Sequence, residues 1–365
     1  MTKQYLALIL ITFLLLTGCG ERKAAVSSKT MAIAQPVLEV GQAVETRPLP
    51  TQQPSRSPEP TSTPAAAPPS LTPLSTSTSI PPTMTPMPTA TLYPVPDSVL
   101  VNGLPPESFV YLPPEVVERS QRILAQGMAV GRDSLRFSKI GDSIVDTEQF
   151  FVPFDTGNYQ LGGYQYLQEA VRQYGGSFGR FGFALRDGLN STSVMDPMWA
   201  DKEHCLANET SLACEIRLNN PSLLLIHFGT NDWSGTFDRN MRQIIDYAIG
   251  EGIVPVLVTK ANRVDGSNER NDILRALAAE YQIPVWDFDV VASTLPDRGL
   301  DLDEAHLTIS TEFDYALPGP IYRGYKAFNL TGLIFMDSFM RNVVLPVKRD
   351  SYLHAHLAGN GQVGL

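Results

Sequence analysis

The residues whose types and spacing suit chemistry fall in four short polar turns. Ser143 stands in Phe137-Ser-Lys-Ile-Gly-Asp-Ser-Ile-Val145, Gly188 in Arg186-Asp-Gly-Leu-Asn-Ser191 and Asn231 in Gly229-Thr-Asn-Asp232, while Asp303 and His306 share Asp301-Leu-Asp-Glu-Ala-His306. A serine alone is a weak nucleophile. Acyl chemistry asks for a base to take its proton, a group to orient that base, and donors for the oxyanion that develops on the substrate. Unless other turns bring such partners to it, Ser143 is only a polar turn residue.

The elements between these turns decide whether they meet. Apolar residues at three- and four-residue spacing predict helices over Glu115–Val130, Tyr159–Tyr174, the stretch from Phe237 to Ala248, Asn271–Tyr281 and Tyr325–Val344. Short apolar runs predict strands over Ser134–Ile140, Phe178–Leu185, Leu223–Phe228, Ile253–Thr259 and Ile283–Phe288. Strands alternating with helices, several of the strands apolar throughout, imply a parallel sheet covered on both faces. The expected fold is α/β: a three-layer α/β/α sandwich around a flavodoxin-like central parallel sheet of about five strands. In such a sheet the carboxyl ends of the strands share one edge, so turns far apart in sequence converge on one crevice. Ser143, Gly188 and Asn231 each follow a predicted strand. Asp303 and His306 lie just before the last helix.

Composition divides the remaining chain. Residues 1–19 carry Lys3, an apolar run from Leu6 to Leu16, and Leu16-Thr17-Gly18-Cys19. That is the layout of a secretory signal, too short for a stable span. It resembles a bacterial lipobox, with Cys19 as the lipidated residue and the new N-terminus. No other apolar run is expected to reach the ~18 residues a span needs. Residues 20–97 form a stalk whose second half, from Thr51 to Pro96, is dominated by Pro, Thr, Ser and Ala; it lacks the residues that bury a core and is expected to stay unfolded. Forty-five extended residues of this kind reach roughly 140 Å. The folded domain is expected at 98–350, with a tail at 351–365. A net charge of −10 with no Lys/Arg cluster argues against a nucleic-acid partner. Besides Cys19, the chain has Cys205 and Cys214. They either close a short loop as a disulfide, as an outward-facing location permits, or remain two buried thiols; the bridge is the expected state.

Taken together, Gly141-Asp142-Ser143, Gly229-Thr230-Asn231-Asp232 and Asp303-Glu-Ala-His306 resemble the blocks of the SGNH (GDSL-type) hydrolase superfamily. The resemblance spans about residues 134–345. Ile144 stands where the name-giving leucine would be, and the second block is diffuse, with Gly188 its best candidate. The resemblance implies a serine esterase without metal or organic cofactor. His306 would deprotonate Ser143, and Asp303 would orient His306. The Ser143 and Gly188 backbone N–H groups and the Asn231 amide would form the oxyanion hole. Having Asp303 three residues before His306 makes their mutual geometry local to one loop. Location and family favour O-acylated, often acetylated, polysaccharide as substrate. Lipase, thioesterase or acyltransferase chemistry uses the same motifs, and a surface-displayed carbohydrate-binding module that keeps only the fold is the rival from another class.

One further motif competes for the nucleophile. Gly175-Gly-Ser177-Phe-Gly179 matches the nucleophile elbow of α/β-hydrolases, but here a helix precedes it and a strand follows, the reverse of what an elbow needs. It is expected to be a glycine-rich helix stop. His227, inside an apolar strand, is expected to be a hydrogen-bonded core histidine. Trp233 either lines a sugar-binding cleft or packs the helix entry, and Met195-Asp-Pro-Met-Trp199 either flanks a pocket or caps a helix.

Overall fold

The computed structural model describes residues 99–359. The signal and lipobox at 1–19 with Cys19, the stalk at 20–97 and the last six residues of the expected tail lie outside them. The elements, in chain order, are β1 (Val110–Tyr111), α1 (Pro114–Ala129), β2 (Asp133–Gly141), α2 (Val152–Thr156), α3 (Gln168–Gln173), α4 (Ser211–Asn219) and β3 (Pro221–His227). They continue with α5 (Ser234–Gly250), β4 (Val254–Val258), α6 (Glu269–Tyr281), β5 (Val285–Trp286), α7 (Phe288–Ala292), α8 (Gly324–Phe339), a π-helical turn (Met340–Val344) and α9 (Leu345–Gly359).

The strands form one sheet in the order β1-β5-β4-β3-β2. The four strands β2, β3, β4 and β5 run parallel, while β1 joins β5 antiparallel at one edge. Side chains alternate between the faces as strand geometry requires. Phe137, Leu223, Leu225, Val254, Val256 and Trp286 enter one apolar cluster with residues of α1, α7 and α8. Ile140, Leu224, Ile226, Leu257 and Val285 enter the other with α4, α5 and α6. This is a three-layer α/β/α fold, and its sheet is mixed.

Four expectations need correction. Phe178–Leu185 is not a strand; only Leu185 pairs, through one parallel bridge to Gly141. Side chains take the ladder's place there: Asp155 accepts the Gly179 N–H at 2.7 Å, Glu215 accepts the Phe183 N–H at 2.9 Å, and Lys139 Nζ donates to the Phe178 carbonyl at 2.7 Å. A backbone satisfied this way has no need of a neighbouring strand. Counting that bridge, the order Leu185-β2-β3-β4-β5 keeps the flavodoxin-like arrangement, with its second strand reduced to one residue and β1 added at the far edge.

The helix expected over Tyr159–Tyr174 is a 3₁₀ turn, Gly162–Leu167, followed by the short α3. Gly162 holds φ at +54°, and a Cβ there would lie 2.4 Å from the Ala316 Cα, so the chain cannot enter a regular helix at that point. The strand expected over Ile283–Phe288 narrows to Val285–Trp286, since α7 begins at Phe288.

The last helix does not stop at Val344. Helical backbone continues from Gly324 to Gly359, so the boundary drawn at residue 350 falls inside a helix. The part from Gly324 to Tyr352 is long and apolar enough to cross a membrane by length and composition, contrary to expectation. However, 83% of its apolar window is buried inside the domain. It is a core helix. Gly332 lets it approach closely: a Cβ there would stand 2.5 Å from the Trp286 ring and 2.6 Å from that of Phe151.

Cys205 and Cys214 are bonded to each other across the entry to α4. Gly175–Gly179 is a turn between α3 and an irregular segment, with Ser177 buried and its Oγ accepting the Phe137 N–H, so no nucleophile elbow exists there.

Candidate active site

Gly141 sets the geometry of the site. It ends β2 and pairs on one side with Leu185 and on the other with His227, the last residue of β3. The turn bearing Gly188 and the turn bearing Asn231 therefore leave the sheet at the level of Gly141, flanking Asp142 and Ser143. No side chain fits at this crossing: a Cβ on Gly141 would lie 2.4 Å from Val145 Cγ2 and 2.5 Å from the His227 carbonyl oxygen. Gly141→Ala is expected to lower unfolding free energy by about 3 kcal/mol, because a backbone atom of the adjacent strand cannot step aside. A denaturant midpoint equal to wild type would contradict this.

Ser143 Oγ lies 2.8 Å from His306 Nε2. His306 Nδ1 lies 2.6 Å from Asp303 Oδ2, while Asp303 Oδ1 accepts the backbone N–H groups of Ala305 and His306 at 3.1 and 3.0 Å. These hydrogen bonds hold the Asp303 carboxyl down at a pKa of about 2, with the His306 side chain as the largest cause. The three-residue spacing is thus realised as a tight turn in which the aspartate caps the backbone of its own histidine. Glu304 takes φ of +57° to close it. The loop is anchored behind the site. The Asp301 N–H donates to the His306 carbonyl at 2.8 Å, and Thr308 Oγ1 both donates to the Gly299 carbonyl and accepts the Gly324 N–H at the start of α8. From α8, Tyr325 Oη donates to the Ile144 carbonyl at 3.1 Å, which fixes the chain immediately after Ser143.

The groups expected to serve as oxyanion donors stand on three turns. Among the described residues no protein acceptor takes the Ser143 or the Gly188 N–H. Gly188 occupies the third position of the turn closed by Leu189 N–H to the Arg186 carbonyl, with φ of +73°, a conformation for which glycine is the default. Asn231 Nδ2 donates to Asp142 Oδ2 at 3.3 Å, which orients the amide and leaves its second hydrogen free. Asn231→Ala is expected to reduce kcat for ester hydrolysis by about 10²–10³ with KM little changed, the usual cost of one oxyanion donor. Steady-state kinetics on a chromogenic ester would decide it, and a kcat within twofold of wild type would remove Asn231 from this role.

Residues to which the sequence assigns no role of their own hold these turns together. Asp232 is buried; its Oδ2 accepts the Gly229 N–H at 2.9 Å, and its Oδ1 accepts both the N–H and the hydroxyl of Ser191. One carboxylate thereby closes its own turn and fastens the neighbouring one. Asp142 is fully buried; its Oδ1 accepts the Ile144 N–H at 3.0 Å, and burial pushes its carboxyl up to about 7. Thr230 Oγ1 accepts Asn262 Nδ2 at 2.9 Å. Asn262 lies just past the carboxyl end of β4. Like Ser143 and Asn231, it stands in the turn beyond a strand's carboxyl end, and that position is its signal in the sequence.

His227 is buried as expected, and desolvation lowers its pKa to about 4, so it is neutral. Its Nδ1 makes no hydrogen bond, contrary to expectation, and lies 4.0 Å from Asp142 Oδ1. Trp233 is 85% exposed, so it does not pack the helix entry. Asp196 caps the 3₁₀ turn Pro197–Trp199 by accepting the Met198 N–H, as the capping reading of that segment expects.

No protein-family model and no curated protein matches the chain. Among solved structures it is similar to one described as a lipolytic protein of the G-D-S-L family from Desulfitobacterium hafniense DCB-2, at 14% identity and TM-score 0.35, covering 56% of this chain and 99% of that one. It is also similar to a GDSL-like lipase from Bacteroides thetaiotaomicron VPI-5482, at 14% identity and TM-score 0.29, covering 61% of this chain and 98% of that one.

Proposed function

We propose that the protein is a serine esterase of the SGNH (GDSL-type) class that hydrolyses carboxylic esters through an acyl-enzyme. The observation that carries this is the unbroken chain Ser143 Oγ–His306 Nε2 and His306 Nδ1–Asp303, at 2.8 and 2.6 Å, beside turns that offer unengaged N–H donors. His306 takes the Ser143 proton as Oγ bonds to the ester carbonyl carbon. The carbonyl π electrons move to oxygen, where the Ser143 and Gly188 N–H groups and the Asn231 amide meet the charge. Collapse of the tetrahedral centre expels the alcohol, which takes the proton from His306. Water then attacks the acyl-serine by the same route and releases the acid. Asp303 stays ionised throughout, because its hydrogen bonds hold its pKa near 2.

The substrate we assign to it is O-acylated, chiefly O-acetylated, carbohydrate. Trp233, two residues from Asn231, presents its indole to solvent, and a flat exposed aromatic face suits an otherwise hydrophilic sugar ring. We place the enzyme outside the cytoplasm, anchored through lipid on Cys19 and carried by the stalk at 20–97. The Cys205–Cys214 bond supports that location, since disulfides persist in oxidising compartments.

The test is covalent labelling by a fluorophosphonate probe together with acetate release from acetylated xylan, acetylated peptidoglycan and p-nitrophenyl acetate. Labelling at Ser143 with acetate release is expected. A folded protein that resists the probe is the surface-displayed binding module, and the esterase reading falls. Labelling with cleavage of p-nitrophenyl acetate alone keeps the esterase and removes the carbohydrate.

A further inference from the structure

The base and the oxyanion donor sit on different, irregular loops, and something has to fix the distance between them. Asn262, 2% exposed, lies between the two. Its side-chain amide donates one hydrogen to Thr230 Oγ1, in the turn that carries Asn231, at 2.9 Å. It donates the other to the carbonyl of Ala305, next to His306 in sequence, at 3.3 Å. Its own Oδ1 accepts from Lys260 Nζ at 3.0 Å, so every polar group of the side chain is engaged. Lys260 is itself buried and paired with Asp265 at 3.1 Å, and it also donates to the Asn262 backbone carbonyl at 2.8 Å. Arg270, in the first turn of α6, joins Asp265 and donates to the Asp232 carbonyl, so the segment after β4 grips the Asn231 turn at a second point. Thr230 adjoins Asn231 in sequence, and the Asn231 amide is itself held by Asp142 Oδ2, so the Asn262 bond reaches the donor through one peptide unit.

We infer that Asn262 is a positioning residue: it clamps the turn that carries Asn231 to the loop that carries His306, and so sets the spacing between oxyanion donor and base. This rests on the esterase reading of the site. Asn262 touches neither substrate nor reacting atoms. Its effect comes through geometry, where misplacement by about 1 Å can cost on the order of 10²-fold in rate. Substrate binding does not pass through it, so the loss belongs in kcat.

The experiment compares wild type with Asn262→Ala, Thr230→Val and the double variant. The readouts are kcat and KM for p-nitrophenyl acetate, the rate of fluorophosphonate labelling, and thermal melting. Asn262→Ala is expected to lower kcat and labelling rate by about 10–100-fold with KM within about twofold of wild type. The fall should persist well below the melting temperature, where a merely destabilised protein would be fully folded and fully active. Thr230→Val deletes the shared hydroxyl at constant size and should lower kcat in the same sense. The double variant should lose less than the product of the two single losses, as residues in one network do. A folded Asn262→Ala with kcat within twofold of wild type overturns the inference. If that variant does not fold, an unchanged kcat in Thr230→Val overturns it instead. Multiplicative losses in the double variant also overturn it. A wild type that neither labels nor hydrolyses overturns the esterase reading first, so the two failures are told apart.

Discussion

Ser143→Ala is expected to reduce turnover of p-nitrophenyl acetate by roughly 10⁴–10⁶ while leaving the melting temperature close to wild type. The size follows from acyl transfer without its nucleophile: what remains is the oxyanion site and substrate binding acting on water. The small structural effect follows from the geometry, since the hydroxyl of Ser143 is bonded to His306 and, among the described residues, to no element of the core. His306→Ala is expected to cost about as much as Ser143→Ala, and the double variant little more than either, because the pair acts as one unit. Asp303→Asn should fall between wild type and these. It keeps an oxygen to cap the N–H groups of Ala305 and His306 but loses the charge that faces His306 Nδ1. Additive losses for Ser143 and His306 would mean that the 2.8 Å contact is not used for proton transfer. Full activity in Ser143→Ala would end the proposal.

The second large effect concerns Asp142, where a buried carboxyl and the site's geometry meet. Its pKa rises to about 7 through burial, against 3.8 for the ordinary group. The folded state therefore holds a proton there that the unfolded chain gives up above about pH 4. Between those two values the native state binds more protons, so this group's contribution to stability falls as pH rises, and it levels off above pH 7. Three pKa units correspond to roughly 4 kcal/mol. Asp142→Asn removes the titration. The stability of this variant relative to wild type is expected to increase between pH 4 and pH 8, by an amount on the order of that figure. Any constant offset from altered hydrogen bonding cancels in the comparison across pH. Activity should move the other way. Asp142 accepts N–H groups from both Ile144 and Asn231, and an amide can accept only one of them and turns its own N–H₂ on the other. Urea unfolding at a series of pH values would decide it. A stability difference that does not vary with pH would show that Asp142 is ionised and solvated by its partners throughout.

Much of this protein is written locally, and that part is legible in the sequence. Long periodic segments such as α1, α5 and α6, and apolar runs such as β3 and β4, have one hydrophobic pattern each, and their positions follow from it. The pairing of Asp303 with His306 is equally local, since three residues of loop fix it. Ser143 and Asn231 stand just beyond a strand's carboxyl end, a position that the strand pattern reveals, and Asn262 stands in the same position after β4.

What the sequence could not decide were matters of competition between distant groups. Phe178–Leu185 has the composition of a strand, but Lys139, Asp155 and Glu215 from elsewhere satisfy its backbone, and only Leu185 reaches the sheet. Val110–Tyr111 is too short to carry a pattern and becomes a strand only because β5 offers it an edge. The long apolar helix after Gly324 fits a membrane or a core by composition, and the aromatic residues packed against it choose the core. The polar cluster from Lys260 through Asn262 to Thr230 and Ala305 joins three loops, and no local pattern announces it. Local periodicity and strand ends determined most of the elements and the candidate residues; only tertiary structure, by choosing which distant groups satisfy each buried donor and acceptor, decided how those residues are held.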